Sequence, residues 1–530
     1  MEAFRNEPYT DFSKDENRAA FMEALGEVRN EFGQSYPLLI GDEEIVLEDT
    51  FPSVNPNNPR QVLGYLSNGD ASHAEQALEV ATEAFDSWKN VPVRERAEVL
   101  FEAARRMRER KHYFSAWMVY EVGKSWVEAD ADTAEAIDFL EYYGRQMIRL
   151  DEEADLLLEA YEPEDNELEY IPLGPGAIIP PWNFPVAILT GMASAAVVAG
   201  NTVVAKPAEQ SPIVGHKVLA LLREAGLPRG VLNVLTGPGE VVGEALVDSP
   251  LTRFVSFTGS RAVGCRIYER AAKVHPGQKW LKRMILEMGG KDAVVVDETA
   301  DLDAAAEGIV ASAFGYQGQK CSAGSRAILV DDVYEPVRNR VVELTKHLSV
   351  GPVEDPENYM GAVVDREAFD KIRAYIEIGK EEGDLLHGGS AAENPEEEGY
   401  VIEPTIFADV DGNARIAQEE IFGPVLAMIP AEDFDEAIEI ANSTDYGLTG
   451  SLYSTDPERI ERAKREFHVG NLYINRKCTG ALVGVHPFGG FNMSGTNSKA
   501  GGPDYLLLFT QAKSIATKIA PEPQPPKGEM

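Results

Sequence analysis

Cys321 stands in Gly318-Gln319-Lys320-Cys321-Ser322-Ala323, a polar, glycine-bearing loop and not an apolar stripe. A lone cysteine is ordinarily a small buried hydrophobe, and Cys265 and Cys478 take that reading. The setting of Cys321 argues instead for a nucleophile, with Lys320 beside it favouring the thiolate. Thirty-four residues earlier comes Glu287, in Leu286-Glu287-Met288-Gly289-Gly290-Lys291, where two glycines leave a carboxylate room to swing. Upstream, Pro181-Trp182-Asn183-Phe184-Pro185 carries a side-chain amide. A thiol, a carboxylate and an amide donor are what oxidising an aldehyde through a thioester requires. The thiol attacks the carbonyl, the amide holds the oxyanion and the carboxylate activates water. Each also has a plainer reading: Asn183 as a turn residue before Pro185, Glu287 as a solvated helix-end carboxylate.

A second group points to a bound anion. Phe257-Thr258-Gly259-Ser260 reads as a strand running into a turn, after which the Ser260 hydroxyl and a helix N-terminus can meet a pyrophosphate. The chain has no Gly-x-Gly-x2-Gly fingerprint at this point, so the pattern is weak alone. Lys206-Pro207-Ala208-Glu209 and Glu419-Glu420-Ile421-Phe422-Gly423-Pro424-Val425 gain meaning only in company.

The elements that must position these residues are legible in outline. Ser72-His73-Ala74-Glu75 reads as a capping box, opening a helix with Ala74, Leu78, Ala81, Phe85 and Trp88 on one face. Pro92 opens another, with Ala97, Leu100, Ala104 and Met107 inward. Residues 1–40 read as a polar arm with one or two helices. Residues 151–171, with acidic runs bracketing Leu156-Leu157-Leu158, read as an exposed hairpin. From residue 174 short β-rich runs alternate with helical patterns: 177–179, 202–205, 231–235 and 254–257, then 293–296, 327–330 and 425–429. That alternation predicts parallel, doubly wound sheets. The Pro-rich end, 520–530, is predicted disordered.

With 530 residues, 44% hydrophobic and 8% aromatic, the chain suits a globular enzyme of several domains. No apolar run reaches the roughly 18 residues of a membrane span, and the first residues have no secretory signal pattern. Three scattered cysteines fit a reducing compartment better than a disulfide framework. The histidines show no metal-binding spacing, so no metal is expected. A net charge of −39 excludes nucleic acid and anionic membranes as partners. Because the acids are spread along the chain, the charge also suggests a high-salt cytoplasm, where screening removes self-repulsion.

The three catalytic motifs together, with that 34-residue spacing, resemble the aldehyde dehydrogenase superfamily over about residues 40–515. The resemblance implies an α/β fold with a Rossmann-type cofactor domain, an α/β catalytic domain and a β-hairpin oligomerisation arm. It implies a cofactor domain of residues 1–150 and 172–286, with 484–502 returning to it, a catalytic domain of 287–483, and an arm of 151–171 and 503–519. Cys321 would be the nucleophile, Asn183 the oxyanion donor beside the Cys321 N–H, and Glu287 the base. The cofactor would be NAD, with Lys206 and Glu209 at the adenosine ribose, Gly259 and Ser260 at the pyrophosphate, and Glu420 and Phe422 at the nicotinamide ribose. A carboxylate at Glu209 repels a 2′-phosphate and so favours NAD over NADP.

The stretches Thr479-Gly480-Ala481 to Gly490 and Ser494 to Leu506 look like the branch that oxidises L-glutamate γ-semialdehyde, the open form of Δ1-pyrroline-5-carboxylate. That branch implies an α-carboxylate held by Ser322 and the backbone of Gly480 and Ala481, an aliphatic chain between Phe184 and Phe488, and Glu135 for the α-ammonium. It also implies a homodimer or higher homo-oligomer, and a separate proline dehydrogenase upstream. Another semialdehyde dehydrogenase, such as one for succinate semialdehyde, and a catalytically idle binding protein of the same fold are the alternatives.

Overall fold

The apolar runs of the sequence become two seven-stranded sheets in the computed structural model, which describes residues 3–519. The predicted disordered tail, 520–530, lies outside the described residues. In the first sheet the strand order is Arg283–Glu287, Phe254–Thr258, Pro175–Ile179, Thr202–Ala205, Leu232–Val234, Leu38–Ile40, Glu43–Ile45. Its first four pairings are parallel and its last two antiparallel, so only Leu38–Ile40 runs against the rest. In the second the order is Asp384–His387, Thr405–Ala408, Val425–Ala431, Arg326–Val330, Ala293–Val296, Thr449–Tyr453, Asn471–Ile474, parallel but for the first pair. Strands such as Thr202–Ala205 and Ala293–Val296 are buried along their whole length, which is why they read as unbroken apolar runs: helices cover both faces of a parallel sheet.

Parallel strands all deliver their C-terminal ends to one edge, and ligands of open α/β sheets bind there. The stretch before Asn183, Lys206, the Gly259-Ser260 turn and Glu287 each follow or close such a strand. Thr258 and Glu287 are partners in register, and the Gly259 N–H donates to the Glu287 carbonyl at 3.0 Å. Glu287 therefore ends a strand and not a helix.

Three local readings are corrected. The cap of helix Ala71–Trp88 is Asp70, whose carboxylate accepts from the Ser72 and His73 N–H groups, while His73 closes the box. Asp70 wins because Ser72 already lies inside the helix. Residues 3–40 are no arm: helix Asp15–Arg29 buries Phe21, Ala24, Leu25 and Val28, and Phe21 stacks on Trp126 at 4.4 Å. The 151–171 segment is no hairpin. Helix Trp126–Glu153 continues through its first acidic run, keeping Tyr143 and Met147 buried, and strand Glu164–Pro172 pairs antiparallel with Thr510–Lys518. The partner strand comes from the far end of the chain.

Asn201, fully buried, ties that ribbon to the first sheet. Its Oδ1 accepts from the N–H groups of Leu173 and Gly174 at 2.7 and 3.0 Å. Its Nδ2 donates to the carbonyls of Ala196 and Phe509 at 3.0 and 2.8 Å. Asn201→Ala strands three buried backbone groups, the Leu173 and Gly174 N–H groups and the Phe509 carbonyl, while the Ala196 carbonyl keeps the Asn201 N–H, so denaturant unfolding should show a loss of about 2–5 kcal/mol. An unchanged midpoint would show that the ribbon's base is held by other contacts.

Candidate active site

Cys321 follows a run of left-handed backbone: Tyr316, Gln317 and Gly318 have φ of 50°, 55° and 67°. Two non-glycine residues in that region cost about 1–2 kcal/mol each, and buried side chains hold them there. Tyr316 donates its hydroxyl to the Val122 carbonyl at 2.9 Å. Gln317 donates to the carbonyls of Gly123 and Ala362 at 2.9 and 2.7 Å. Gln319 accepts from the Val364 N–H at 2.9 Å. At Gly318 only glycine fits, because a Cβ would overlap the Gly423 carbonyl. Asn183, 4% exposed, donates its amide to the Gln319 carbonyl at 3.0 Å, which fixes it beside the thiol loop.

The predicted help from Lys320 is not what the structure shows. Its ammonium is paired with Glu128 at 2.6 Å. Burial pushes the Cys321 thiol well above its ordinary range, and the carboxyls of Asp292, Glu287 and Glu420 add to the push. Among these carboxyls the thiolate is the disfavoured form. Cys478 is buried as expected, but Cys265 is exposed, on the outward face of helix Arg261–Ala272 that turns Gly264, Ile267 and Ala271 inward.

Burial likewise raises the Glu287 carboxyl to about 7, against the pull of Ser498, Lys499 and the Gly490 N–H. Gly289 and Gly290 serve close approach here more than swing: a Cβ at Gly289 would overlap the Glu420 carboxylate, and one at Gly290 would sit 2.5 Å from both the Cys321 carbonyl and Asp292 Oδ2. The Gly290 N–H donates to Glu420 Oε1 at 3.0 Å.

A cavity of about 750 Å³ brings Asn183 and Cys321 together with Lys206, Glu209, Gly259 and Ser260. Glu420 and Phe422 line it too. Lys206 donates to Glu209 Oε1 at 2.9 Å, and the same oxygen accepts from the Gly239 N–H at 2.8 Å, so the carboxylate stands fixed at the mouth. Ser260 caps helix Arg261–Ala272 through the Val263 N–H. Phe422 meets Trp182 edge-on at 5.5 Å. A dinucleotide fits this wall: a helix N-terminus for pyrophosphate and placed carboxylates for ribose hydroxyls.

Glu287 and the predicted substrate residues stand outside that lining. Ser322 adjoins the 478–481 segment, its carbonyl accepting from Cys478 Sγ at 3.4 Å. Gly480 has φ +80°, and a Cβ there would meet only Lys477 and Arg476 side-chain atoms beyond 3.5 Å. The N–H groups of Gly480 and Ala481 donate to no acceptor among the described residues, while Arg476 braces the carbonyls of Thr479 and Gly480 at 2.9 and 3.0 Å. Two successive N–H groups with no acceptor among the described residues are donors suited to an anion. Phe488 pairs through its backbone with Ala500. The Phe184 ring carries the Lys124 ammonium 3.7 Å from its centroid. Burial, and then Asp132, push the Glu135 carboxyl up to about 8.

Sequence reasoning missed the groups that pack behind these. Lys124 and Asp132, both fully buried, pair at 2.8 Å. Burial raises Asp292 to about 8 and lowers Lys291 to about 7. Only the adjacency of Asp292 to Gly289-Gly290-Lys291 could have flagged it; nothing local marks Lys124.

A family model, the aldehyde dehydrogenase family, matches residues 45–515, and the chain belongs to that family. It is 58% identical over 516 residues to 1-pyrroline-5-carboxylate dehydrogenase of Geobacillus kaustophilus (strain HTA426), covering 97% of this chain and 99% of the relative. A crystal structure of 1-pyrroline-5-carboxylate dehydrogenase from Thermus with bound NAD superposes with a TM-score of 0.95 at 54% identity, covering 98% of this chain and 100% of that one. Proline utilization A from Bdellovibrio bacteriovorus gives 0.95 at 45% identity, covering 98% of this chain and 54% of its own.

The raised thiol has a direct readout. Alkylation of the Cys321 peptide by iodoacetamide, followed by mass spectrometry to separate it from exposed Cys265, should keep climbing at alkaline pH. Levelling off near the ordinary thiol pKa of about 8.5 would contradict the electrostatics described. Lys320→Met should leave the curve in place, since the carboxyls of Asp292, Glu287 and Glu420, and not Lys320, are the charged groups acting on the thiol.

Proposed function

We propose that this chain oxidises L-glutamate γ-semialdehyde, formed by ring opening of Δ1-pyrroline-5-carboxylate, to L-glutamate in the second oxidation of proline breakdown. The observation that carries the substrate choice is the pair of free N–H groups at Gly480 and Ala481, close in the fold to Ser322 and thus to Cys321. Identity over nearly the full length of the 1-pyrroline-5-carboxylate dehydrogenases supports it. NAD+ bound in the cavity supplies the hydride acceptor, and its cationic ring favours the Cys321 thiolate. Cys321 attacks the aldehyde carbon, and the Asn183 amide and Cys321 N–H hold the oxyanion. After oxidation to the thioester, Glu287 takes a proton from water, which displaces glutamate from sulfur. A base whose pKa lies near 7 is matched to that task at neutral pH.

Ser322, Gly480 and Ala481 cradle the α-carboxylate, and Phe184 and Phe488 flank the chain. Glu135, largely protonated at neutral pH without a ligand, ionises against the α-ammonium. Lys206 and Glu209 hold the adenosine ribose, with Glu209 selecting NAD; Gly259 and Ser260 take the pyrophosphate, and Glu420 and Phe422 the nicotinamide ribose. The first sheet is the core of the cofactor domain, the second that of the catalytic domain. The ribbon Glu164–Pro172/Thr510–Lys518 is only two strands wide, and joining a sheet of a second copy through its Thr510–Lys518 side would make the protein a homo-oligomer. A separate proline dehydrogenase supplies the substrate. No described helix is long and apolar enough to cross a membrane, and we place the enzyme in a high-salt cytoplasm.

Steady-state kinetics with three aldehydes test the substrate. Glutamate semialdehyde should exceed propanal at least 100-fold in kcat/KM, because an aldehyde without a carboxylate leaves N–H donors unpaired. Succinate semialdehyde, lacking the ammonium, should fall between them. Gly480→Val should hit the semialdehydes far harder than propanal; equal losses on all three would leave an aldehyde dehydrogenase of unassigned substrate.

Salt tests the habitat. With 88 acidic against 49 basic residues, Tm and activity should rise as KCl goes from about 0.1 M to molar levels and the Debye length shrinks from about 10 Å to about 3 Å. A flat melting response would remove the high-salt reading.

A further inference from the structure

Glu287 is held by a loop that the reaction scheme above does not use. Ser498, 5% exposed, donates its hydroxyl to Glu287 Oε1 at 2.5 Å and its N–H to the same oxygen at 3.3 Å. Glu287 Oε2 is buried and has no partner among the described residues. The carboxylate is thus pinned by one oxygen and left open at the other. On either side of Ser498, Asn497 and Lys499 adopt φ of 54° and 55°. Non-glycine residues rarely take this conformation, and such strain clusters at functional sites. Here it turns both donors of Ser498 onto one oxygen.

The strand that carries Glu287 builds the clamp. The Met288 N–H donates to the Ser494 carbonyl at 2.8 Å and the Thr496 N–H to the Leu286 carbonyl at 2.9 Å. The Leu286 N–H donates back to Thr496 Oγ1 at 3.0 Å. Lys499 is tethered from the other side, its ammonium donating to the carbonyls of Gly470 and Gly489 at 2.6 and 2.8 Å. Gly489 is glycine because a Cβ there would lie 2.8 Å from the Lys499 nitrogen and 3.0 Å from Glu287 Oε1.

We propose that Ser498 and Lys499 are positioning residues for Glu287: Ser498 fixes which carboxylate oxygen takes the proton from water, and the Lys499 ammonium stabilises the ionised carboxylate. This rests on Glu287 being the base for thioester hydrolysis. The groups facing Glu287 are Ser498 and Lys499 from the loop, the Gly490 N–H, Cys321 from the thiol loop and Tyr505 near the ribbon's base. Burial pushes Glu287 up, whereas Ser498 and Lys499 pull it down to about 7. Removing either must raise it, so the base ionises at higher pH.

The experiment is the pH profile of kcat with pre-steady-state bursts, on the full-length enzyme. Ser498→Ala should move the acid limb up by about one unit, which is roughly a tenfold loss below it. A burst of NADH should appear as hydrolysis slows, with NAD+ affinity and Tm close to wild type. Ser498→Thr should restore the profile. Lys499→Met should shift the limb the same way, and Lys499→Arg should return it. If the Ala variant does not fold, Ser498→Cys, a weaker donor of similar size, should show the same upward shift. Limbs that stay in place in the Ser498 and Lys499→Met variants overturn the proposal. Glu287→Gln run in parallel separates the two claims: normal hydrolysis there removes the base assignment itself, whereas blocked hydrolysis with unmoved Ser498 limbs removes only the clamp.

Discussion

The left-handed run Tyr316-Gln317-Gly318 is the constraint on which the site depends. It is held from several directions at once. The carbonyls of Val122 and Gly123 close a helix of the N-terminal half, while Ala362 and Val364 belong to the segment ahead of helix Arg366–Glu382. Asn183 adds a bond from the turn after strand Pro175–Ile179. The thiol's position is therefore set where distant parts of the chain meet, and not by its own loop. Buried donors that would go unpaired if the run relaxed keep the strain in place.

Around that point, ionisable groups sit away from their ordinary states. Glu287, Asp292 and Glu420 are raised, Lys291 is lowered and the thiol is raised, in each case chiefly by burial. In a site crowded with acids in low dielectric, each of these groups finds its charged form disfavoured. A positive charge beside the thiol would make the thiolate less costly. The same acids restrain the nucleophile in its absence.

What the sequence disclosed follows the range of the interactions. Strands 202–205 and 293–296 were legible to the residue because a fully buried strand is written in its own composition. The thiol, carboxylate and amide could be singled out because their motifs are local. Lys320 misled because its partner, Glu128, is 192 residues away and its pairing left no local mark. The hairpin at 151–171 failed for the same reason, its first acidic run being the end of a helix that tertiary packing extends. Ser498 lay inside a glycine-rich stretch that could be matched by type, but its bond to Glu287 spans 211 residues and only the fold reveals it.

The ribbon has a consequence for the chain's history. Strand Glu164–Pro172 finds its partner only at Thr510–Lys518, with Pro172 opposite Thr510. At synthesis rates of about 5–20 residues per second, the first strand waits tens of seconds, unpaired, for the second to be made. Throughout that interval it is an open template for any other nascent strand. Glu164, Asp165, Glu167 and Glu169 give it a run of like charges that repels a copy of itself, while Lys513 waits at the far end to face Glu169. The acidity that characterises the whole chain thus acts here as a chaperone written into one strand.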